Sequence, residues 1–100
     1  MASSSDAFRM LGNWKKSKTV LKVTVLTKGG IPETLRGLIM AVDEEAMLVT
    51  FASLPSRGMG NLDLRGTEFT LGKRSLTAAR SPEEILSFVD TGERYNLDAP

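Results

Sequence analysis

The run VLKVTVLTKGGIPETLRGLIMAVDEEAMLVTF, from Val20 to Phe51, decides the fold, because it reads as three apolar strand segments separated by two polar turns. In the first, from about Thr19 to Thr27, Leu21, Val23 and Val25 alternate with Val20, Lys22, Thr24 and Leu26, which puts the former on the core face of a strand. Lys28-Gly29-Gly30 turns the chain. Ile31-Pro32-Glu33 prolongs that turn, since Pro32 lacks the N–H that a central strand needs. The second segment, Leu35 to Val42, is apolar on both faces except at Arg36, and its interior Gly37 marks a bend or a close backbone approach. Asp43-Glu44-Glu45 makes the next turn. Ala46 to Phe51 follows as a third strand, Met47, Val49 and Phe51 on one face and Leu48 and Thr50 on the other. Strands apolar on both faces call for cover on both sides, from the sheet folded over on itself and from a helix or another subunit.

Working outward toward the N-terminus, Ser5 or Asp6 can cap a short helix in which Ala7, Met10, Leu11 and Trp14 fall at i, i+3, i+4 and i+7. One apolar stripe of this kind suits a helix laid across an open end of the sheet. Lys15, Lys16 and Lys18 come next, placed equally well to complement the helix macrodipole or to meet a phosphate. In the other direction, Ala52 to Asn61 carries Pro55, Gly58 and Gly60 and reads as a long loop. Strand character returns at Leu62 to Arg65, Thr67 to Leu71 and Ser75 to Ala79, either as one bent strand plus a short one or as three separate strands. Ser81-Pro82-Glu83-Glu84 has the form of a helix start, with a cap, a first-turn proline and a Glu three residues on. It predicts a C-terminal helix over 81–92 that docks Ile85, Leu86, Phe88 and Val89 and ends at Gly92. Glu93 to Pro100 is left as a polar tail. The expected organisation is a single mainly β domain over 1–100: an N-terminal lead and helix (1–18), a barrel (19–80), a C-terminal helix (81–92) and the tail (93–100).

Composition bounds the function. A chain of 100 residues, 41% hydrophobic and 25% charged, is near the usual size of one globular domain. Folding buries only roughly 60–65% of the surface of a chain this short, so self-association adds useful burial. Thirteen Lys and Arg against twelve Asp and Glu give a net charge of +1, which favours no partner class. Its distribution is uneven: Arg9 to Arg36 holds seven basic residues and one acid, whereas Ser81 to Pro100 holds one basic residue and five acids. The chain has no Cys and no His, which removes disulfides, thiolate nucleophiles, the commonest zinc ligands and the usual general base. MASSSDAF is not a signal peptide and no apolar run reaches the roughly 18 residues of a membrane span. A reducing, cytoplasmic setting without membrane attachment is expected.

No sequence motif supplies catalysis. Gly66 to Arg74, GTEFTLGKR, approaches a phosphate-binding loop, but it has five residues between Gly66 and Gly72 and an Arg where the metal-binding hydroxyl belongs. Asp43, Glu44 and Glu45 read as a solvated turn, because carboxylate catalysis and hard-metal binding need groups that face one cleft. An enzyme is the least supported class, and no catalytic residue, metal or cofactor is expected. Arg57, Arg65, Lys73, Arg74 and Arg80 outnumber Asp63 and Glu68 in the stretch from Arg57 to Arg80. Arg beside Gly in a turn between strands suits stacking on a base or grasping a phosphate.

The order of elements from about Asp6 to Arg80 resembles the Sm and Sm-like (LSm, Hfq-type) family. The first motif of that family is matched by Val23, Val25 and Leu26, Gly29 or Gly30, Leu35-Arg36-Gly37-Leu38, Val42 and Asp43, and the second by Leu64-Arg65-Gly66-Thr67. Lys73-Arg74-Ser75-Leu76-Thr77 aligns instead with the bacterial form of the second motif, and both registers cannot hold at once. Where most eukaryotic and archaeal members carry a base-reading Asn, four residues after the turn Asp, this chain has Met47. The resemblance implies an N-terminal helix, a strongly bent five-stranded antiparallel sheet forming a small open barrel of SH3 type, and a homo-oligomeric ring joined strand to strand. It also implies a single-stranded RNA partner, with Asp43, Met47, Arg65, Gly66, Lys73 and Arg74 as candidate contacts and Lys15 and Lys16 adding charge. With Met47 unable to read a base, binding is expected to be sequence-tolerant and salt-sensitive. A ring used as a structural or protein-interaction module, its RNA site lost, is the alternative.

Overall fold

A computed structural model describes residues 2–96. The last four residues of the expected tail lie outside the described residues. The helix α1 spans Ser4–Ser17, two or three residues earlier than the Ser5 or Asp6 cap would place it, because Ser3 Oγ accepts the Asp6 N–H at 3.2 Å. Lys18 ends it in the left-handed conformation, with Asp6 in the first turn and Lys15 and Lys16 in the last, each sign suited to the macrodipole. Ala7, Leu11 and Trp14 are buried as the spacing predicts. Phe8, outside the stripe, is buried too and meets Phe69 edge to face at 6.4 Å between ring centroids.

Seven strands follow: β1 (Thr19–Leu26), β2 (Glu33–Asp43), β3 (Leu48–Ser53), β4 (Met59–Asp63), β5 (Glu68–Leu71), β6 (Ser75–Ser81) and β7 (Glu84–Arg94). They form one antiparallel sheet in the order β4-β3-β2-β1-β7-β6-β5, mainly β as expected, not closed, and with seven strands rather than five. The region after the third strand resolves into three separate strands, and the loop expected over Ala52 to Asn61 shrinks to the stretch between β3 and β4. That connection is tied by Ser53 N–H to the Gly58 carbonyl at 2.9 Å and Arg57 N–H to the Ser53 carbonyl at 2.7 Å.

The C-terminal helix expected over 81–92 does not form. Ser81 pairs with Glu84 across a tight β6–β7 turn, in which Pro82 occupies the corner that its fixed φ favours and Ser81 Oγ accepts the Glu83 N–H at 3.2 Å. The residues that resemble a helix cap therefore serve a turn. Beyond it the apolar run reads at a period of two: Phe88 is fully buried and Val89 is exposed, and the strand is held on both sides by β1 and β6.

β2 is shared between two halves of the sheet, pairing with β1 from Glu33 to Gly37 and with β3 from Gly37 to Asp43. Gly37 stands at the junction. A Cβ there would collide with the Ala52 carbonyl oxygen and lie 2.9 Å from Phe51 Cζ, so the close approach inferred from an interior glycine is real. One core gathers Leu21, Val23, Ile39, Val49, Phe51, Leu64, Leu76 and Phe88 with the buried face of α1. The edges differ. The Ala2 N–H donates to the Phe69 carbonyl of β5 at 3.3 Å, whereas β4 has no strand on its outer side among the described residues. Across the gap Arg80 donates from Nε to the Arg65 carbonyl at 3.0 Å and from Nη2 to the Asp63 carbonyl at 2.8 Å. Among the described residues no helix is long and apolar enough to cross a membrane.

Candidate nucleic-acid interface

Four of the six candidate residues meet at one end of the sheet. Asp43 closes β2 and its Oδ1 accepts the Ala46 N–H at 3.1 Å, which fixes the turn. Met47 does not begin β3 as the alternation suggests. It sits in the turn at φ 56°, with its N–H on the Glu44 carbonyl at 3.2 Å and its side chain against the core. The Met47 carbonyl in turn accepts the Leu64 N–H at 2.8 Å, so the Asp43–Met47 turn lies beside the Leu64–Thr67 connection. Gly66 has φ 71°, the left-handed conformation that a side chain disfavours, and Thr67 Oγ1 donates to the Leu64 carbonyl at 2.7 Å.

The charge at this end is not the free basic charge that the sequence suggests. Arg65 Nε lies 3.0 and 3.1 Å from the two Asp63 oxygens, its Nη2 donates to Oδ2 at 2.8 Å, and its backbone N–H donates to Oδ1 at 2.9 Å. The Arg65 side chain, then its backbone N–H, hold the Asp63 carboxyl down at about 2 from an ordinary 3.8, with the charge of Arg80 adding to the effect. The same contact raises the Arg65 guanidinium above its usual value. Asp43, Glu44, Glu45 and Asp63 surround this end, against Arg65 and Arg80.

Lys73 and Arg74 are not part of it. They occupy the β5–β6 turn, at the end of that hairpin away from Gly66, where the Arg74 carbonyl accepts the Asp90 N–H at 2.8 Å and its guanidinium lies 3.7 Å from Asp90 Oδ1. Lys15 and Lys16 stand exposed on the last turn of α1.

No protein-family model, curated protein or solved structure matches this chain.

A second basic group lies elsewhere, and the sequence pattern only half reveals it. Arg36 from β2, Arg57 from the β3–β4 connection and Arg94 from the end of β7 line a cleft of about 630 Å³ with Tyr95, Pro55, Leu54, Val20 and Glu93. Arg57 carries the Arg-beside-Gly signal in Ser56-Arg57-Gly58. Arg94 and Tyr95 had no local signal, since they fall in the stretch that composition marks only as polar tail. Arg36 pairs with Glu93. Arg57 Nη2 donates to Tyr95 Oη at 2.8 Å, Arg94 Nη1 lies 3.5 Å from the Ser17 carbonyl, and the Tyr95 N–H donates to the Lys18 carbonyl at 2.8 Å. Among the described residues neither Arg57 nor Arg94 pairs with a carboxylate.

Proposed function

We propose that this chain is a divergent Sm-like protein, a homo-oligomeric ring in the cytoplasm that binds single-stranded RNA with little sequence discrimination. The observation that carries the reading is the Leu64 N–H to Met47 carbonyl bond, which sets side by side the two stretches, Asp43–Met47 and Leu64–Thr67, on which the family resemblance rests. The unequal edges support the assembly: among the described residues an uncovered β4 and a β5 whose outer side meets only Ala2 offer head-to-tail strand pairing, which closes into a ring when the rotation permits. Light scattering on a size-exclusion column tests the ring, and a monomer at micromolar concentration rejects it. Fluorescence anisotropy with oligo-U and oligo-A across a salt series tests RNA. Binding no tighter than about 10⁻⁴ M at low salt, the weak limit of nonspecific binding, rejects that part.

The second reading, a ring that serves as a structural or protein-interaction module, is favoured by Asp63. By neutralising Arg65 it leaves an acid-rich end that repels a phosphate chain. A ring by light scattering with no RNA binding selects this reading.

A further inference from the structure

We infer that the cleft between the end of β7 and the β3–β4 connection is a nucleotide-binding site, which takes one phosphate on Arg57 and Arg94 and one base against Tyr95. The inference deepens the RNA reading by moving the contact away from the Asp43 and Arg65 end, but the cleft also stands without a ring.

The size fits, because small-molecule sites run from roughly 300 to 1,000 Å³ and this cleft holds about 630 Å³. Its charge fits as well: among the described residues three guanidinium groups line it against the carboxylate of Glu93, which pairs with Arg36 and leaves Arg57 and Arg94. What separates it from the other arginine cluster is the kind of partner. A phenol holds Arg57 and a backbone carbonyl faces Arg94, so both side chains are oriented while their positive charge stays available. Arg65, held by a carboxylate, has lost that availability.

The walls supply the rest. Tyr95 offers an aromatic face, fixed through its backbone to Lys18 and through its hydroxyl to Arg57, and base stacking on such a ring tolerates any base. Val20, Leu54 and Pro55 give an apolar floor suited to a flat ring rather than to a second charge. The backbone adds an independent sign. Arg57 is exposed and adopts φ 61°, a conformation that costs a non-glycine residue free energy and that nothing in the core demands of it. Ser53 Oγ lies 3.0 Å from Ser56 Oγ and 3.2 Å from the Gly58 carbonyl, which stiffens the turn that presents it.

The ligand has two sources, a free nucleotide and a unit of single-stranded RNA, and the test separates them. Fluorescein-labelled U6 and A6 oligonucleotides are titrated by anisotropy, and unlabelled UMP and AMP by NMR on the Tyr95 ring signals. Three variants are compared with the unmodified protein. Arg57→Gly removes the charge while suiting the left-handed backbone, so its fold is not at risk. Tyr95→Ala removes the stacking face, and Arg65→Gln probes the competing loop end. Arg57→Gly is expected to weaken oligonucleotide binding about fivefold and to flatten the salt slope by about 0.7, the share of one phosphate on a single strand. Tyr95→Ala is expected to weaken it about tenfold, and Arg65→Gln to leave it within about twofold.

Binding of UMP or AMP at Tyr95 without oligonucleotide binding keeps the site and rejects the RNA reading. Oligonucleotide binding that survives both cleft variants and falls with Arg65→Gln overturns the site and keeps RNA at the loop end. No binding of any of the four probes rejects both. Poly-glutamate that competes as well as A6 also overturns the site, because it shows attraction for charge alone.

Discussion

The two ends of the sheet both present arginines, and they present them in opposite company. At the end built from the Asp43–Met47 turn and the Leu64–Thr67 connection, Arg65 is gripped by a carboxylate through side chain and backbone together. In the cleft by the end of β7, Arg57 and Arg94 face neutral oxygens. A count of basic residues treats the two alike. The partner of each guanidinium decides whether it is a brace or a binding group, because a salt-bridged arginine must first give up one anion to accept another.

The most disruptive way to break the comparison is to remove both ends at once. Gly37→Val drives side-chain atoms into the Ala52 carbonyl and the Phe51 ring at the junction of the two half-sheets. It is expected to cost about 3 kcal/mol or more, read as a fall in the urea midpoint, since overpacking against backbone has no flexible neighbour to yield. An unchanged midpoint means that the two halves do not depend on that approach.

Asp63→Asn tests whether the acid is what silences the loop end. With Arg65 and Arg80 released from a carboxylate, oligonucleotide affinity is expected to rise several-fold and the salt slope to steepen by about 0.7 for each phosphate gained. A slope equal to that of the unmodified protein shows that Asp63 holds nothing back.

Acid titration sharpens the same contrast from the other side. Asp63 has a folded value depressed to about 2 from 3.8, so its contribution to stability is fully present above the unfolded value and is lost as pH falls from about 4 through 2. The carboxyl carbon shift of Asp63, followed by NMR, is expected to have its midpoint near the lower figure. A midpoint at the ordinary value contradicts the grip. The smallest effect belongs to Met47→Asn, which places an amide where the resembled family reads a base and suits the left-handed backbone better than Met does. The side chain at this position packs against the core, so the amide reaches a base only by turning outward, and one new hydrogen bond of about 1 kcal/mol then gives roughly a fivefold preference for one of the two sequences. Equal binding of the two sequences means that the loop end does not meet bases.

How much of this was legible follows from where each signal resides. Val20 to Phe51 announces its strands because one buried face imposes a period of two, and Gly37 announces its close contact because few other reasons place a glycine inside an apolar strand. Ser81 to Glu84 misleads because a serine that accepts a nearby N–H and a proline of fixed φ suit a helix start and a tight turn equally. The choice is made by β1 and β6, which lie on either side of β7 and are far from it or ambiguous in the sequence. Asp43, Met47, Arg65 and Gly66 were picked out by motif and do lie together, but the Asp63 contact that changes their meaning is a matter of rotamer. Lys73 and Arg74 were drawn in by a competing register and stand apart. The cleft is the least legible, since Arg36, Arg57, Arg94 and Tyr95 come from three separate parts of the chain with no spacing that links them.

The position of β7 in the sheet sets an order of events in folding. β1 through β4 form one run of sequence neighbours and β5 through β7 another, while the seam between them pairs Lys22 with Val89. Hairpins within each run close short loops, whereas the seam must gather most of the chain before its first hydrogen bond repays the lost entropy. The two runs are thus expected to fold early and to join late. Weakening the seam with Thr91→Val, which removes the hydroxyl that donates to the Val20 carbonyl at 2.7 Å, then speeds unfolding and leaves refolding nearly unchanged in stopped-flow experiments. A refolding rate that drops with stability would place the seam in the nucleus instead.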